Sequence, residues 1–183
     1  MTTIENIAVS EGVSRFIAAA RKNGLHPELT DSKTGDEAIT MVYARPSGWN
    51  GKAVTKYMAY FLVFHRGGAE RIDENALKCI IGTRNKDRAM KRGRIEVAAE
   101  MEPDYMGPFV SDKFSSDLLI IVNRSSYELG KPLNFSTGVP LDKGGGYFLM
   151  PMREVYGVLE KLHPGKVTTR PLVKCQNFPS IYD

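Results

Sequence analysis

The sequence predicts an α+β protein, a curved antiparallel sheet with a few packing helices, folded as a single domain over residues 1–183. Three observations carry this. Residues 38–45 and 53–65 are rich in β-branched and aromatic side chains, and the Asn50-Gly51 pair between them favours the tight turn of a β-hairpin. Near the other end, Val155, Val158, Leu159 and Leu162 fall at the i, i+3, i+4, i+7 spacing of one buried helical face. A length of 183 residues with 42% hydrophobic content suits one core of ordinary size.

Taken in order, residues 1–9 read as a loose arm. Ser10 can cap a helix whose buried face is Val13, Phe16, Ile17 and Ala20 and which stops at Asn23-Gly24. Residues 25–36 are polar, hold Pro27 and Gly35, and read as a loop. The hairpin follows, its second strand apolar on both faces from Phe61 to Phe64 and therefore expected in the middle of a sheet. Gly67-Gly68 ends it, and Asp73 can cap a helix over residues 74–81 that buries Leu77, Ile80 and Ile81. Residues 94–101 alternate like a strand, and residues 102–116 read as a long loop. Two more strands are expected at 117–123 and 133–137. The last strand, 147–149, leads into the helix that Pro151 starts and His163-Pro164-Gly165 stops. Residues 164–183 read as a tail draped over the body or a neighbouring subunit. A unit of strands followed by a helix thus occurs twice, at 38–81 and at 94–162, without residue-by-residue likeness.

Composition narrows the function classes. No apolar run approaches the roughly 20 residues of a membrane span, and the first twelve residues have neither the basic start nor the apolar core of a secretory signal. Cys79 and Cys175 stand far apart with no CxxC pair, which argues for a reducing compartment and against structural zinc. A cytoplasmic protein without metal or cofactor is expected. The net charge of +4 leans toward anionic partners.

The distribution of that charge says more. Arg84, Lys86, Arg88, Lys91, Arg92 and Arg94 are six basic residues in a run of eleven, against the single acid Asp87. Such a run fits phosphate contacts, each releasing counterions on binding; most charge runs are solvated faces, but most also mix both signs. On the hairpin, Tyr43, Arg45, Trp49, Lys52, Lys56, Tyr57 and Tyr60 interleave rings with cations, the pattern that lets bases stack while the backbone is neutralised. Strand aromatics are more often core, but Trp49 sits in the predicted turn, where no core position is expected.

Catalytic chemistry has less to stand on. A restriction-type metal site wants an acid at a strand start and acid-x-Lys on the next strand. Asp117 opens a strand, but Glu128 and Lys131 are spaced E-x-x-K, and residues three apart on a strand do not share a face. The glycines 144–146 lack a following Lys-Ser/Thr, so they are not a P-loop. His26, His65 and His163 lie in no metal spacing, and no serine sits on a nucleophile elbow. No enzyme is expected.

Lys143-Gly144, the strand 147–149 and the helix ending Leu159-Glu160-Lys161-Leu162, preceded by strands at 94–101, 117–123 and 133–137, resemble the positive-cofactor-four and Whirly group of single-stranded-DNA-binding proteins. The resemblance covers about 70 residues; residues 1–90 do not share it. It implies a sheet surface that binds single strands and a homo-oligomer assembled through the last helix, and it adds Lys143 and Tyr147 to the contact residues. Small size and methionine content also resemble phage-encoded single-strand binders. The expectation is therefore a sequence-independent single-stranded-DNA-binding protein of phage or bacterial replication or transcription, working beside a polymerase. An assembly factor with a basic patch and a metal-dependent nuclease are the other readings.

Overall fold

The computed structural model describes residues 6–65, 71–81, 88–101 and 107–174. The fold is α+β and its centre is a four-stranded sheet. Strands β2 (Ala38–Trp49) and β3 (Val54–His65) form the predicted antiparallel hairpin. The next strand, β5 (Asp117–Asn123), joins β3 in parallel, and β8 (Val167–Arg170) joins β5 in parallel. A three-stranded antiparallel sheet of β1 (Glu28–Thr30), β7 (Tyr147–Pro151) and β6 (Pro132–Ser136) stands beside it. A short pair, β4 (Arg71–Ile72) with β9 (Val173–Lys174), completes the strands described.

The helices are α1 (Glu11–Lys22), α2 (Glu74–Ile81), α3 (Arg88–Ala99), α4 (Arg124–Glu128) and α5 (Met152–Leu162). Ser10 caps α1 as its sequence predicts, its hydroxyl accepting from the Val13 N–H. Asp73 does the same for α2 through the Asn75 N–H. Both α1 and α5 turn their apolar stripes inward. There they meet the inner face of the central sheet (Val42, Ala44, Ala59, Phe61, Val63) and the three-stranded sheet in one core. At its heart, the Phe16, Phe109, Phe135 and Phe148 rings lie with centroids 4.6–5.9 Å apart, the separation at which aromatic pairs attract. A second, smaller cluster lies on the opposite face, where α2 covers Leu62 and Ile121 with Leu77 and Ile81.

Four expectations are corrected. Residues 94–99 are helix, the end of α3, because Gly93 and Val97, four apart, are what the helix buries; Ile95, which made the stretch look alternating, is 70% exposed. The second strands-then-helix unit therefore does not begin as predicted. The loop at 25–36 contains β1, held by β7. Residues 167–174 are not tail: β8 is an integral strand, and the buried Asn123 Oδ1 takes the Leu172 N–H at 2.9 Å. Residues 175–183, the rest of that predicted tail, lie outside the described residues, as do 1–5 of the predicted arm.

Candidate nucleic-acid interface

Alternation along the hairpin sorts its side chains onto two faces. Val42, Ala44, Tyr57, Ala59, Phe61 and Val63 turn inward and are buried. Tyr43 and Tyr60 are direct cross-strand partners on the outward face, and the parallel neighbour of Tyr60 is Leu119; all three are half-buried. One row toward the turn come Arg45, Met58 and Asp117. Arg45 is exposed, while Lys56 gives its ammonium to Asp117 at 2.9 Å. Lys56 thus brings little unneutralised charge to the face.

The turn is tighter than the sequence implied. Trp49 is the last residue of β2, paired with Val54, and the reversal is made by residues 50–53. The Asn50 Oδ1 accepts from the Lys52 and Ala53 N–H groups at 3.1 and 2.9 Å, and Gly51 takes φ +86°, open to glycine at no steric cost. Trp49 is 66% exposed and Lys52 is exposed beside it.

Helix α3 docks on the inward side of this hairpin. A Cβ on Gly93 would stand 2.4 Å from the Tyr57 ring and 3.2 Å from the Ala44 Cβ, so glycine is what lets the helix lie flat on the strands. Two features that the sequence separates by some forty residues, the basic run and the basic-aromatic hairpin, are joined by this contact. The helix backbone carries Arg88, Lys91, Arg92 and Arg94 to the hairpin. Arg94 is exposed and acts on Tyr43: burial raises the Tyr43 hydroxyl above its ordinary 10.0, and the Arg94 charge pulls the other way. Arg84 and Lys86 lie outside the described residues.

Three assigned contact residues are not brought to this face. Tyr57 is buried beneath Gly93, with its ring used as packing surface, so it cannot stack on a base. Strand periodicity already separates it from Lys56 and Tyr60. Lys143 is exposed in the short 3₁₀ turn Leu141–Lys143, and Tyr147 is half-buried in β7, both belonging to the three-stranded sheet. The glycine run beside them is explained by close backbone packing. A Cβ on Gly145 would meet the Val139 carbonyl at 1.8 Å, and one on Gly146 the Thr30 carbonyl at 2.4 Å.

The restriction-type arrangement is not assembled. Asp117 begins β5 and Glu128 ends α4 beyond the other end of that strand, about 20 Å away by strand rise alone. Lys131 pairs with Asp36 at 2.7 Å, holding that carboxyl below its ordinary range through the hydrogen bond and the charge. Sequence reasoning missed a buried polar knot in which the Ser126 Oγ takes the His65 N–H and sits 3.0 Å from His65 Nδ1. It ties the end of β3 to α4, the short helix after β5, and no spacing in the sequence announces it.

What fold and face define is an α+β protein with a half-covered aromatic surface on the outward side of a hairpin and a helix of basic sequence packed on its inward side. No family model matches the chain, and no curated protein matches it. A solved structure, described as the crystal structure of hypothetical protein APE2540, is similar at a TM-score of 0.53 and 16% identity over 90% of this chain and 100% of that one. At this identity the likeness shows the fold alone. Among the described residues, no helix is long and apolar enough to cross a membrane.

Proposed function

We propose that the protein binds single-stranded DNA, largely without regard to sequence, on the outward face of the β2–β3 hairpin. The observation that carries this is the cross-strand pair Tyr43–Tyr60, half-exposed on a sheet face and flanked by Arg45, with Trp49 projecting at the tip. Bases stack on rings so presented whatever their identity, while arginine and lysine side chains follow the phosphates. Arg45, Lys52 and Arg94 are the exposed cations for that track, while the body of α3 packs through Gly93 on the inward side of the hairpin. Lys56 is discounted because Asp117 already holds it. The resemblance to the Whirly group points the same way from residues 117–162, but residues 94–99 are helical, so the reading rests on the hairpin.

The test is titration with a labelled single strand of about 30 bases, enough for more than one stacking site, at low and moderate salt beside the matching duplex. Tight, salt-sensitive binding that favours the single strand is expected. Tyr43→Ala with Tyr60→Ala should weaken it at least about tenfold, at ~1–3 kcal/mol per stacked base. No binding to either form at low salt would sink the proposal and turn attention to an acidic protein partner for the same cations.

A further inference from the structure

The outward face of the central sheet does not end at the two tyrosines. Tyr43 faces Tyr60 across the hairpin, and Tyr60 faces Leu119 on β5. Because β8 seats Val167 opposite Ile120, the position opposite Leu119 is Lys166, whose carbonyl takes the Ile120 N–H at 2.8 Å. The row of rings therefore ends, two strands beyond Tyr60, in a cation. Val167 turns inward and is buried, so alternation puts Lys166, Thr168 and Arg170 together on the outward side.

Beside β8 this face is hollow. A groove of about 470 Å³ lies between β8 and α2. Cys79 and Ile80 of α2 line one side, Leu119 and Ile121 of β5 lie beneath, and Thr168 and Arg170 of β8 line the other side. Leu119 thus belongs both to the groove and to the row of rings. No acid is among the lining residues, and neither Lys166 nor Arg170 is in an ion pair among the described residues. Both cations are exposed, and about 13 Å of strand separates them by rise alone. The groove is therefore apolar beneath and positive along one rim.

We propose that this groove is the second part of the single-strand site: one base lies on Leu119 and Ile121 against α2, while the phosphates beside it run along β8 and are held by Lys166 and Arg170. The inference rests on the single-strand reading and extends it from the hairpin across the width of the sheet. Ligand pockets are mostly apolar with a few polar groups that fix orientation, and every base has a π-face that an apolar floor can cover whatever its identity. Charge complementarity selects the occupant, because a neutral apolar ligand would leave both cations unanswered. An acidic amphipathic helix fits less well. It needs anchors at i, i+3, i+4 and i+7, and the groove extends along little more than one turn of α2, from Ala76 to Ile80.

Cys79 is exposed at the groove and can report on it. In the full chain with Cys175→Ser, which leaves one thiol, alkylation of Cys79 by iodoacetamide is timed with and without oligo(dT) of about 12 bases, a single-site length. With the oligonucleotide at about ten times its Kd, alkylation should slow about tenfold, because only the free fraction reacts. Arg170→Ala should lower the slope of log affinity against log salt by about 0.7, the share of one phosphate on a single strand. Lys22→Ala, at an exposed cation on α1, makes the same change of net charge and should leave the slope unchanged. An oligonucleotide that binds while Cys79 reacts at its free rate overturns the groove and leaves the hairpin site standing. Protection with an unchanged slope in Arg170→Ala overturns it as well. Protection by a leucine-rich acidic peptide but not by the oligonucleotide gives the groove to a protein partner and overturns the base assignment. If no oligonucleotide binds at low salt, the single-strand reading falls and this extension of it falls too.

Discussion

The two faces of the central sheet are built from the same strands and end in opposite conditions. On the inner face, Ala59, Phe61, Val63, Ile120 and Val122 are fully buried between α1, α5 and the second sheet. On the outer face, α2 closes only the end that holds Leu62 and Ile121, and toward the hairpin turn Tyr43, Met58, Tyr60 and Leu119 stay half-covered. Adjacent residues such as Tyr60 and Phe61 therefore have different work. Burial of Phe61 stabilises the fold, whereas Tyr60 is only half-buried, packed at the margin of the smaller core cluster with part of its ring left to solvent.

Neighbouring substitutions separate these roles. Phe61→Ala should cost about 3–5 kcal/mol in denaturant unfolding, the price of a cavity in a packed interior. Tyr60→Ala should cost clearly less than Phe61→Ala in the same assay while weakening oligonucleotide binding. If the two lose equal stability, the faces are not distinct and the stacking surface is simply core. Gly93→Ala tests the junction between them: the new methyl meets the Tyr57 ring, and overpacking of this kind costs about 1–3 kcal/mol against the slight helical gain of alanine. Hydrogen exchange in α3 should rise with it.

The smallest effect belongs to Glu100. Burial by itself raises its carboxyl, but the hydrogen bonds from Ser116 and Ser115 outweigh this and hold it below the ordinary 4.5. A depressed folded-state value adds stability above 4.5 that is lost as pH falls through the lowered value. Wild type should therefore destabilise on acidification below pH 4.5, and Glu100→Gln should flatten that limb while lowering stability slightly at neutral pH. An unchanged acid limb in Glu100→Gln would mean that the hold on Ser115 and Ser116 does not depend on the charge.

What the sequence made legible was local. The Ser10 and Asp73 caps, the hairpin, β5 and the 3.6-residue stripe of α5 each announce themselves within a dozen residues. The α3 segment was misread because its key contact is a glycine, which carries no hydrophobic signal, while the exposed Ile95 supplied a false one. Strand β8, with the sequence Val-Thr-Thr-Arg, is too short to speak for itself, and parallel pairing gives no turn to mark it. Of the candidate site, Arg45, Trp49, Lys52 and Arg94 were legible as exposed members of a basic-aromatic surface. The assignment of Tyr57 failed against a period-2 rule that was already in the sequence.

The parallel seating of β8 also sets an order of events in time. Ile120 waits for Val167 and Asn123 for Arg170, so the apolar strand Asp117–Asn123 has one bare edge until the chain beyond α5 has been synthesised and has swung back. Pairings this distant are slow to close, and an unpaired hydrophobic edge is where nascent chains stick to one another. Until β8 arrives, the stripe of α5 is complete while the sheet it packs against is still open on that side.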